Sequence, residues 1–247
     1  MKLWCALFVL GAAVAAPGPR FACTDYTQGK VFLVDDQGKV EWSYDAANAN
    51  DIWVLPNGNL LFNTGHGAKE VTRDKKVVFS YESTSEVYAC QRLSNGNTFI
   101  GECNAGRLLE VDAAGKVVWQ VAAPGGPHSA VRLPGGDTLI ASADRDGAPA
   151  RVFEVTPDGR TVWEVRGEEL PGISLKFMAG LHRLPNGNTV MSNWLGHGQF
   201  GKAPHIIEVT RDKRVVWTFA DHETMKTISS VEILDAVGKP IAGTVLH

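Results

Sequence analysis

The sequence predicts an all-β protein, a β-propeller of four-stranded blades, and three observations support this prediction. A turn-centred pattern occurs four times, as "WVLPNGNLLFN", "QRLSNGNTFIG", "VRLPGGDTLIA" and "HRLPNGNTVMS". Each copy is followed by a second pattern: "EVTRDKKVVF", "EVDAAGKVVW", "EVTPDGRTVW" or "EVTRDKRVVW". The spacing of equivalent leucines lies in the range of propeller blades. These leucines are Leu55, Leu93, Leu133, Leu184 and, near the end, Leu234.

Each unit contains runs of apolar and β-branched residues that are separated by Asn-Gly or Gly-Lys turns, which favour tight hairpins. We therefore expect four-strand meanders with strands a to d. The first unit, "FACTDY" and "KVFLVDDQGKVEWSYD", lacks strand a, whereas the last unit offers only "SSVEIL". Pairing the two ends completes one blade, closes the ring and removes free sheet edges. Counting the aromatic residues of the fourth strands gives five blades, with six as the alternative: Trp42, Phe79, Trp119, Trp163 and Trp217.

The chain begins with a segment typical of export. Residues 1–15, "MKLWCALFVLGAAVA", have a lysine, a short apolar run and small residues before the cut, so they predict a signal peptide. The remainder, residues 20–247, is expected to form a single propeller domain that is periplasmic or secreted, without membrane insertion. The formal net charge of −3 does not favour nucleic acid as a partner.

Three cysteines remain after removal of the leader, which is an odd number and therefore not a disulfide framework. Cys90 and Cys103 lie on neighbouring predicted strands and are close enough in sequence to consider a disulfide. A hairpin centred on Asn95-Gly96 places them diagonally, so we favour small buried apolar residues over a bridge.

The repeats "HRLPNGNTVMS" and "EVDAAGKVVW" resemble those of the arylsulfate sulfotransferase-like and PQQ-like β-propellers, over nearly all of residues 20–240. The first resemblance implies a channel histidine as nucleophile. His128 in "PHSAVRLPGGDTL" matches it, with Arg145 and Lys176 as cationic partners, although Ser129 stands where a companion asparagine is expected. The second resemblance implies a blade-joining repeat. PQQ itself is not expected, because the larger ring, metal site and adjacent cysteines of those enzymes are missing.

The two ends of the predicted meander differ in their loops. The a–b turns are uniform, whereas the b–c connections vary and are longest after Trp194. Variable loops on a rigid scaffold usually carry binding groups, so we expect the insertion at residues 195–206 to form part of a site.

Ionisable and polar residues concentrate at this variable face. His66 and His197 both stand in Gly-His-Gly, so we expect each to project from a tight turn, and each is a candidate either for ligand contact or for loop-fixing hydrogen bonds. Asp51 also stands at the channel mouth, while His128 is the candidate catalytic residue. The candidate ligand-binding residues are His66, Glu86, Glu102, Arg145, Lys176, Asn193, His197 and His205.

These observations favour a secreted propeller that binds a small molecule, a glycan or a protein partner at the variable face. An extracytoplasmic enzyme is the alternative, either sulfotransferase-like or a metal-assisted lyase or hydrolase. The metal hypothesis uses nitrogen and oxygen ligands such as those preferred by Zn²⁺. Its ligands would be drawn from His66, His128, His197, His205 and Glu102. The sequence leaves the metal content and the cofactor open.

Overall fold

The computed structural model describes residues 17–122, 129–142, 150–156, 158–175 and 177–243. This part of the chain is almost entirely β-structure, with one short 3-10 turn at Gly167–Glu169. The predicted signal peptide lies outside the described residues. The strands are β1 (Arg20–Asp25), β2 (Lys30–Val34), β3 (Val40–Asp45), β4 (Ile52–Val54), β5 (Leu60–Asn63), β6 (Gly65–Val71), β7 (Val77–Arg92), β8 (Thr98–Glu102), β9 (Arg107–Val111), β10 (Val117–Ala122), β11 (Ala130–Arg132), β12 (Thr138–Ser142), β13 (Arg151–Val155), β14 (Thr161–Arg166), β15 (Met178–Arg183), β16 (Thr189–Asn193), β17 (Ile206–Val209), β18 (Val215–Phe219) and β19 (Ile228–Leu234).

The described strands form four antiparallel sheets of repeated meanders. Two of them are simple four-strand meanders, β11 to β14 and β15 to β18, as the repeat predicts. In a third sheet the order is β19-β1-β2-β3, so the last strand pairs with the first. Their register runs from Arg20 opposite Leu234 to Asp25 opposite Ile228. The two ends of the described chain therefore share one sheet.

The remaining sheet differs from the prediction, because it has seven strands in the order β10-β9-β8-β7-β6-β5-β4. Its long strand β7 pairs with β6 through its first half and with β8 through its second half. The fourth strand of one repeat and the first strand of the next are thus one continuous strand. A run of residues with strong β-propensity, "VVFSYESTSEVYACQR", has no glycine or proline to interrupt it.

The three cysteines among the described residues, Cys23, Cys90 and Cys103, are free thiols. Cys90 lies opposite Ile100 in the ladder, and it is not bridged to Cys103. Cys90 is buried as expected, but Cys103 is only partly buried because it begins the turn between β8 and β9. No helix among the described residues is long and apolar enough to cross a membrane.

An ion pair stacked on an aromatic ring joins one repeat to the next. Arg92, at the end of β7, donates from Nη2 to Glu70 Oε2 of β6 at 2.7 Å, and from Nη1 to the carbonyl of Gly96 at 3.0 Å. Its guanidinium lies 4.7 Å from the ring centre of Phe79, the cross-strand neighbour of Glu70. The arginine therefore ties its own repeat to the outer half of the preceding repeat.

The same arrangement recurs between the β11–β14 and β15–β18 sheets, where Arg183 donates to Glu154 at 2.5 Å and lies 5.0 Å from the centre of the Trp163 ring. The first repeat replaces both charged partners. Leu33 occupies the position of the glutamate and Val54 that of the arginine, and both are buried in one apolar cluster. The chain thus contains matched ionic and apolar versions of the same junction.

This match predicts the outcome of a double-mutant cycle at Glu70 and Arg92. Either Glu70→Leu or Arg92→Val alone leaves a mostly buried charge without its partner, and each should lower the free energy of unfolding by about 2 to 3 kcal/mol. The double variant copies the Leu33 and Val54 junction and should be more stable than Arg92→Val. Denaturant unfolding of the four proteins measures this coupling, and strictly additive losses would contradict it.

A carboxyl group is buried on the last strand. Glu232 of β19 is almost without exposed surface, and its Oε2 accepts a hydrogen bond from the backbone N–H of Val54 at 2.5 Å. Burial raises its pKa to about 8; the hydrogen bond from Val54 opposes this shift, and the charge of Asp51 adds a smaller contribution in the same direction as burial. Glu232 is therefore protonated in the folded protein near neutral pH.

Glu232→Gln tests this burial through the pH dependence of stability. The unfolded chain loses its proton from residue 232 near pH 4.5, whereas the folded chain keeps it until about pH 8. The stability of the wild type should therefore fall as pH rises between these values, by up to about 1.4 kcal/mol per pH unit. The amide variant keeps the acceptor for Val54 but cannot ionise, so its decline should be smaller. Urea unfolding near pH 5 and near pH 8 measures both slopes; equal slopes would contradict the assignment.

Candidate ligand-binding site

A cavity of about 340 Å³ opens at the variable-loop face. It lies where the first strands of successive repeats begin, near the starts of β4, β11, β15 and β19 and beside the second half of β7. Segments far apart in the sequence therefore share one wall. The lining residues are Tyr26, Asn50, Tyr88, Ser129, Phe177, Met178, Ala179, Trp194, His197 and Ser229.

Aromatic rings form one side of this cavity, arranged around Trp194. The ring of Phe177 lies 5.2 Å from the Trp194 ring, and the ring of Tyr26 lies 6.2 Å from it, both close to edge-to-face. The imidazole of His197 is 5.0 Å away at an interplanar angle of 81°. Such nearly perpendicular contacts hold the rings in fixed relative orientation.

The long insertion positions two of these rings. The backbone N–H of Trp194 donates to the carbonyl of Phe177 at 2.8 Å, which fixes the entry of the loop. Gly196 lies directly against the indole, because a Cβ there would come within 2.0 Å of the Trp194 ring. His197 then adopts a φ of 51°, so the chain turns back and places the imidazole beside the indole. The sequence predicts a tight turn at His197, and the loop turns back at this residue.

Asn193 clamps the base of the insertion and does not line the cavity. Its Nδ2 donates to the carbonyl of Ser174 at 3.0 Å and to that of Pro204 at 3.5 Å. Its backbone N–H donates to the carbonyl of His205 at 2.9 Å. His205 is fully buried below the loop, so it is also separate from the cavity wall. Both candidate residues therefore support the loop.

His66 and Glu102 lie apart from the cavity lining. His66 is exposed and lies in strand β6, directly after Gly65, whose φ is 81°. The prediction of a tight turn at His66 is therefore wrong. Glu102 is fully buried, and accepts hydrogen bonds from Arg107, Ser83 and the hydroxyl of Tyr81. Burial acts to raise its pKa, but the bonds from Arg107 and Ser83 outweigh this and hold the pKa below the ordinary value. Its oxygens are therefore committed to structural contacts.

Glu86 acts on the cavity through a neighbour. It accepts hydrogen bonds from the hydroxyl of Tyr88 at 2.9 Å and from Nδ2 of Asn104 at 3.1 Å. Burial, followed by this bond to Glu86, raises the pKa of Tyr88 to about 12. Tyr88 is therefore held neutral with its ring toward the cavity.

His128, Arg145 and Lys176 lie outside the described residues. Two of their neighbours in sequence, Ser129 and Phe177, line the cavity.

Asp51 lies below the cavity, beside a narrow extension of about 20 Å³ that is lined in part by Asn50, Tyr88 and Ser129 as well. Its carboxylate accepts hydrogen bonds from the backbone N–H of Cys90 at 3.0 Å and from the hydroxyl of Ser230 at 3.3 Å. Burial raises its pKa to about 6, against the effect of these bonds. The sequence placed Asp51 at the channel mouth, but it did not indicate this perturbed titration.

The aromatic residues that line the cavity were not among the candidate residues predicted from the sequence. Tyr26 and Trp194 each directly follow a strand, whereas Phe177 precedes one, always at the variable face. That position was the available signal. Among the described residues, no group of three or more His, Cys, Asp or Glu side chains is arranged to hold a metal ion.

Comparisons with known proteins concern the fold. No family model matches the chain. No curated protein matches it either. A protein of unknown function from Bacteroides caccae is similar in structure, with a TM-score of 0.69, 21% identity, and coverage of 87% of this chain and 98% of that one. Virginiamycin B lyase from Staphylococcus aureus has a TM-score of 0.40 at 14% identity, covering 80% of this chain and 69% of that one. The WD40 β-propeller domain of Doa1 has a TM-score of 0.41 at 17% identity, covering 66% and 57%. The chain is thus an all-β protein of repeated antiparallel meanders, and it shares this fold with the Bacteroides caccae protein.

Proposed function

We propose that the chain is an exported, single-domain β-propeller of five blades that binds a small uncharged ring compound, in particular a sugar, in the cavity at its variable face. The blade count is supported by the double role of β7 and by the pairing of β1 with β19. Each of the five groups of strands then has four members. Export is supported by the apolar leader at residues 1–15.

The observation that carries this proposal is the chemistry of the lining. Among its described residues, none has a carboxylate, ammonium or guanidinium group, and the largest contributors are aromatic. The volume of about 340 Å³ lies within the range of small-molecule pockets. Aromatic rings pack against the C–H face of a sugar, and short polar side chains at Asn50, Ser129 and Ser229 can orient hydroxyl groups. A concave site of this size favours a small molecule or a glycan terminus over a protein surface.

A second candidate is hydrolysis of such a ligand, and the specific observation that favours it is Asp51. A carboxylate whose pKa is about 6 is close to the value suited to a general base at neutral pH. The adjoining space of about 20 Å³ is large enough for one water molecule. Asp51 would then take a proton from this water as its oxygen attacks the anomeric carbon of a glycoside in the cavity above; the C–O bond to the leaving group breaks, and the leaving oxygen takes a proton from solvent where it needs one. The sulfotransferase-like alternative depends on His128. Its test is whether the protein releases the phenol from an aryl sulfate.

Trp194→Ala tests the binding proposal. Removal of the indole eliminates the central ring of the aromatic wall, so affinity for a bound pyranoside should fall about tenfold or more. Saturation-transfer NMR with methyl glucoside, methyl galactoside and methyl N-acetylglucosaminide measures binding. Trp119→Ala is the matched control, because that indole is about half exposed on the outer strand β10. Binding that survives Trp194→Ala, or a wild type that binds none of the three, would refute the proposal.

Asp51→Asn separates binding from catalysis. If Asp51 is a general base, the wild type should release nitrophenolate from 4-nitrophenyl glycosides, with a rate that rises through about pH 6. The asparagine variant should bind the same compounds and lose at least about a hundredfold in rate. A wild type that releases no nitrophenolate above the buffer rate would eliminate the hydrolytic candidate and leave the binding proposal unaffected.

A further inference from the structure

Two imidazoles are packed together at the base of the long insertion. His205 directly precedes β17 and is fully buried, while His222 lies in the turn after β18. Their ring centres are 4.6 Å apart, with 55° between the planes. Phe200, from the insertion itself, packs edge-to-face against the His222 ring, with 5.4 Å between the two ring centres. The pair therefore connects the insertion with the turn at residues 220–226.

The imidazole nitrogens of this pair are poorly satisfied. Nδ1 and Nε2 of His205 and Nδ1 of His222 are buried without a hydrogen bond of normal geometry. Ring packing, together with a contact between His205 and the backbone of Asp221, therefore holds the pair in place.

The charged groups around His205 come from several elements. Asp221 and His222 belong to the following turn, and Asp25 ends β1. Lys226, from the same turn as His222, lies 5.3 Å from the centre of the Phe200 ring. These groups define the electrostatic environment that a proton on His205 would enter.

The two nearby carboxylates are already engaged. Asp25 accepts backbone N–H groups from Lys226 at 2.6 Å and Thr227 at 3.2 Å. Asp221 accepts those of Glu223 at 3.0 Å and Thr224 at 2.9 Å. They can attract a charged His205 only at a distance.

Burial, and then the neighbouring His222, lower the pKa of His205 to about 4, against the opposite effect of Asp221 and Asp25. When the loop opens and water reaches the ring, its pKa returns toward 6.5. Above this value both states are neutral, and pH has no effect on their balance. Between pH 6.5 and 4 the open state takes up a proton that the closed state excludes, so acid favours opening.

The insertion has few other restraints. The backbone hydrogen bonds of residues 196–202 stay within the loop, from Gln199 to Gly196 and from Lys202 to Gln199. The loop is fixed mainly at its two ends, by Trp194 to Phe177 and by His205 to Phe219. The backbone bonds of His205 with Phe219 and Asn193 continue the sheet, so the segment that can move without unpairing it is residues 196–202, which contact the histidine pair through Phe200.

We propose that the insertion at residues 194–205 is an acid-released flap, in which protonation of His205 detaches the loop from the turn at residues 220–226 and withdraws Trp194 and His197 from the cavity wall. A ligand captured near neutral pH is then released in acid. The release of ligand rests on the proposed binding function, whereas the opening of the flap does not.

Hydrogen exchange measured by mass spectrometry tests the flap in the full-length protein without any ligand. After correction for intrinsic exchange rates, the opening constant of a peptide covering residues 194–205 should rise about thirtyfold from pH 7.5 to pH 5. Peptides from the central strands β1 and β16 should not change. His205→Phe, which retains a buried ring but cannot be protonated, should abolish the rise. His66→Gln, an exposed histidine outside the flap, should retain it.

Corrected exchange that is equal at the two pH values, or a rise that persists in His205→Phe, would overturn the proposal. If that variant fails to fold, NMR titration of the wild-type histidines replaces it: a closed-state pKa near 6.5 for His205 overturns the proposal, and one well below supports it. Binding of the methyl glycosides at both pH values separates the two claims. A responsive flap with no sugar bound at either pH refutes the sugar-binding function alone, whereas binding without a flap response refutes the flap alone.

Discussion

The antiparallel pairing of β1 with β19 is the constraint on which the rest of the structure depends. It joins the beginning of the described chain to its end in one sheet and makes their loops neighbours. Thr24 and Ser229 are hydrogen bonded at 2.8 Å, and the N–H of Tyr26 donates to the carbonyl of Thr227 at 3.0 Å. Tyr26 is thereby brought beside Trp194, so the cavity wall exists only when the ends have paired. Because this contact spans nearly the whole sequence, its loop-closure entropy is large, and we expect the site to form late in folding.

The contacts between repeats explain how the uniform and variable faces coexist. In each described arginine–glutamate pair, the glutamate takes the position of Leu33 in the first repeat and the arginine takes that of Val54. At these junctions the two positions are therefore either both charged or both apolar. Where Ile233 stands in place of the arginine, the corresponding Glu208 is only partly buried and accepts a hydrogen bond from Asn188 instead. No comparable contact restricts the loop after Trp194, whose length and composition differ from the other b–c connections. The scaffold constrains its junctions and leaves this loop available for recognition.

Much of the fold could be predicted from the sequence because its signals are local. Asn-Gly turns and β-branched runs predict the meanders, and the incomplete units at both ends predict the pairing of β1 with β19. The continuous β7 was missed, since continuity depends on how neighbouring repeats are oriented. The candidate site was less predictable. Glu102 looked like a rim ligand, but its partners Tyr81 and Arg107 are set by strand register. Likewise, the sequence marks His205 as ionisable but gives no measure of its burial.

The continuous strand β7 also makes the two sides of the cavity mechanically unequal. Its backbone passes from one repeat into the next, and Val87 pairs with both Gly65 of β6 and Glu102 of β8, so relative movement of those repeats would require these pairings to be broken. Tyr88 belongs to this strand. Trp194, on the facing aromatic wall, belongs to a connection whose internal bonds are local. A molecule in the cavity would therefore meet one fixed wall, at Tyr88, and one wall that can move, at Trp194.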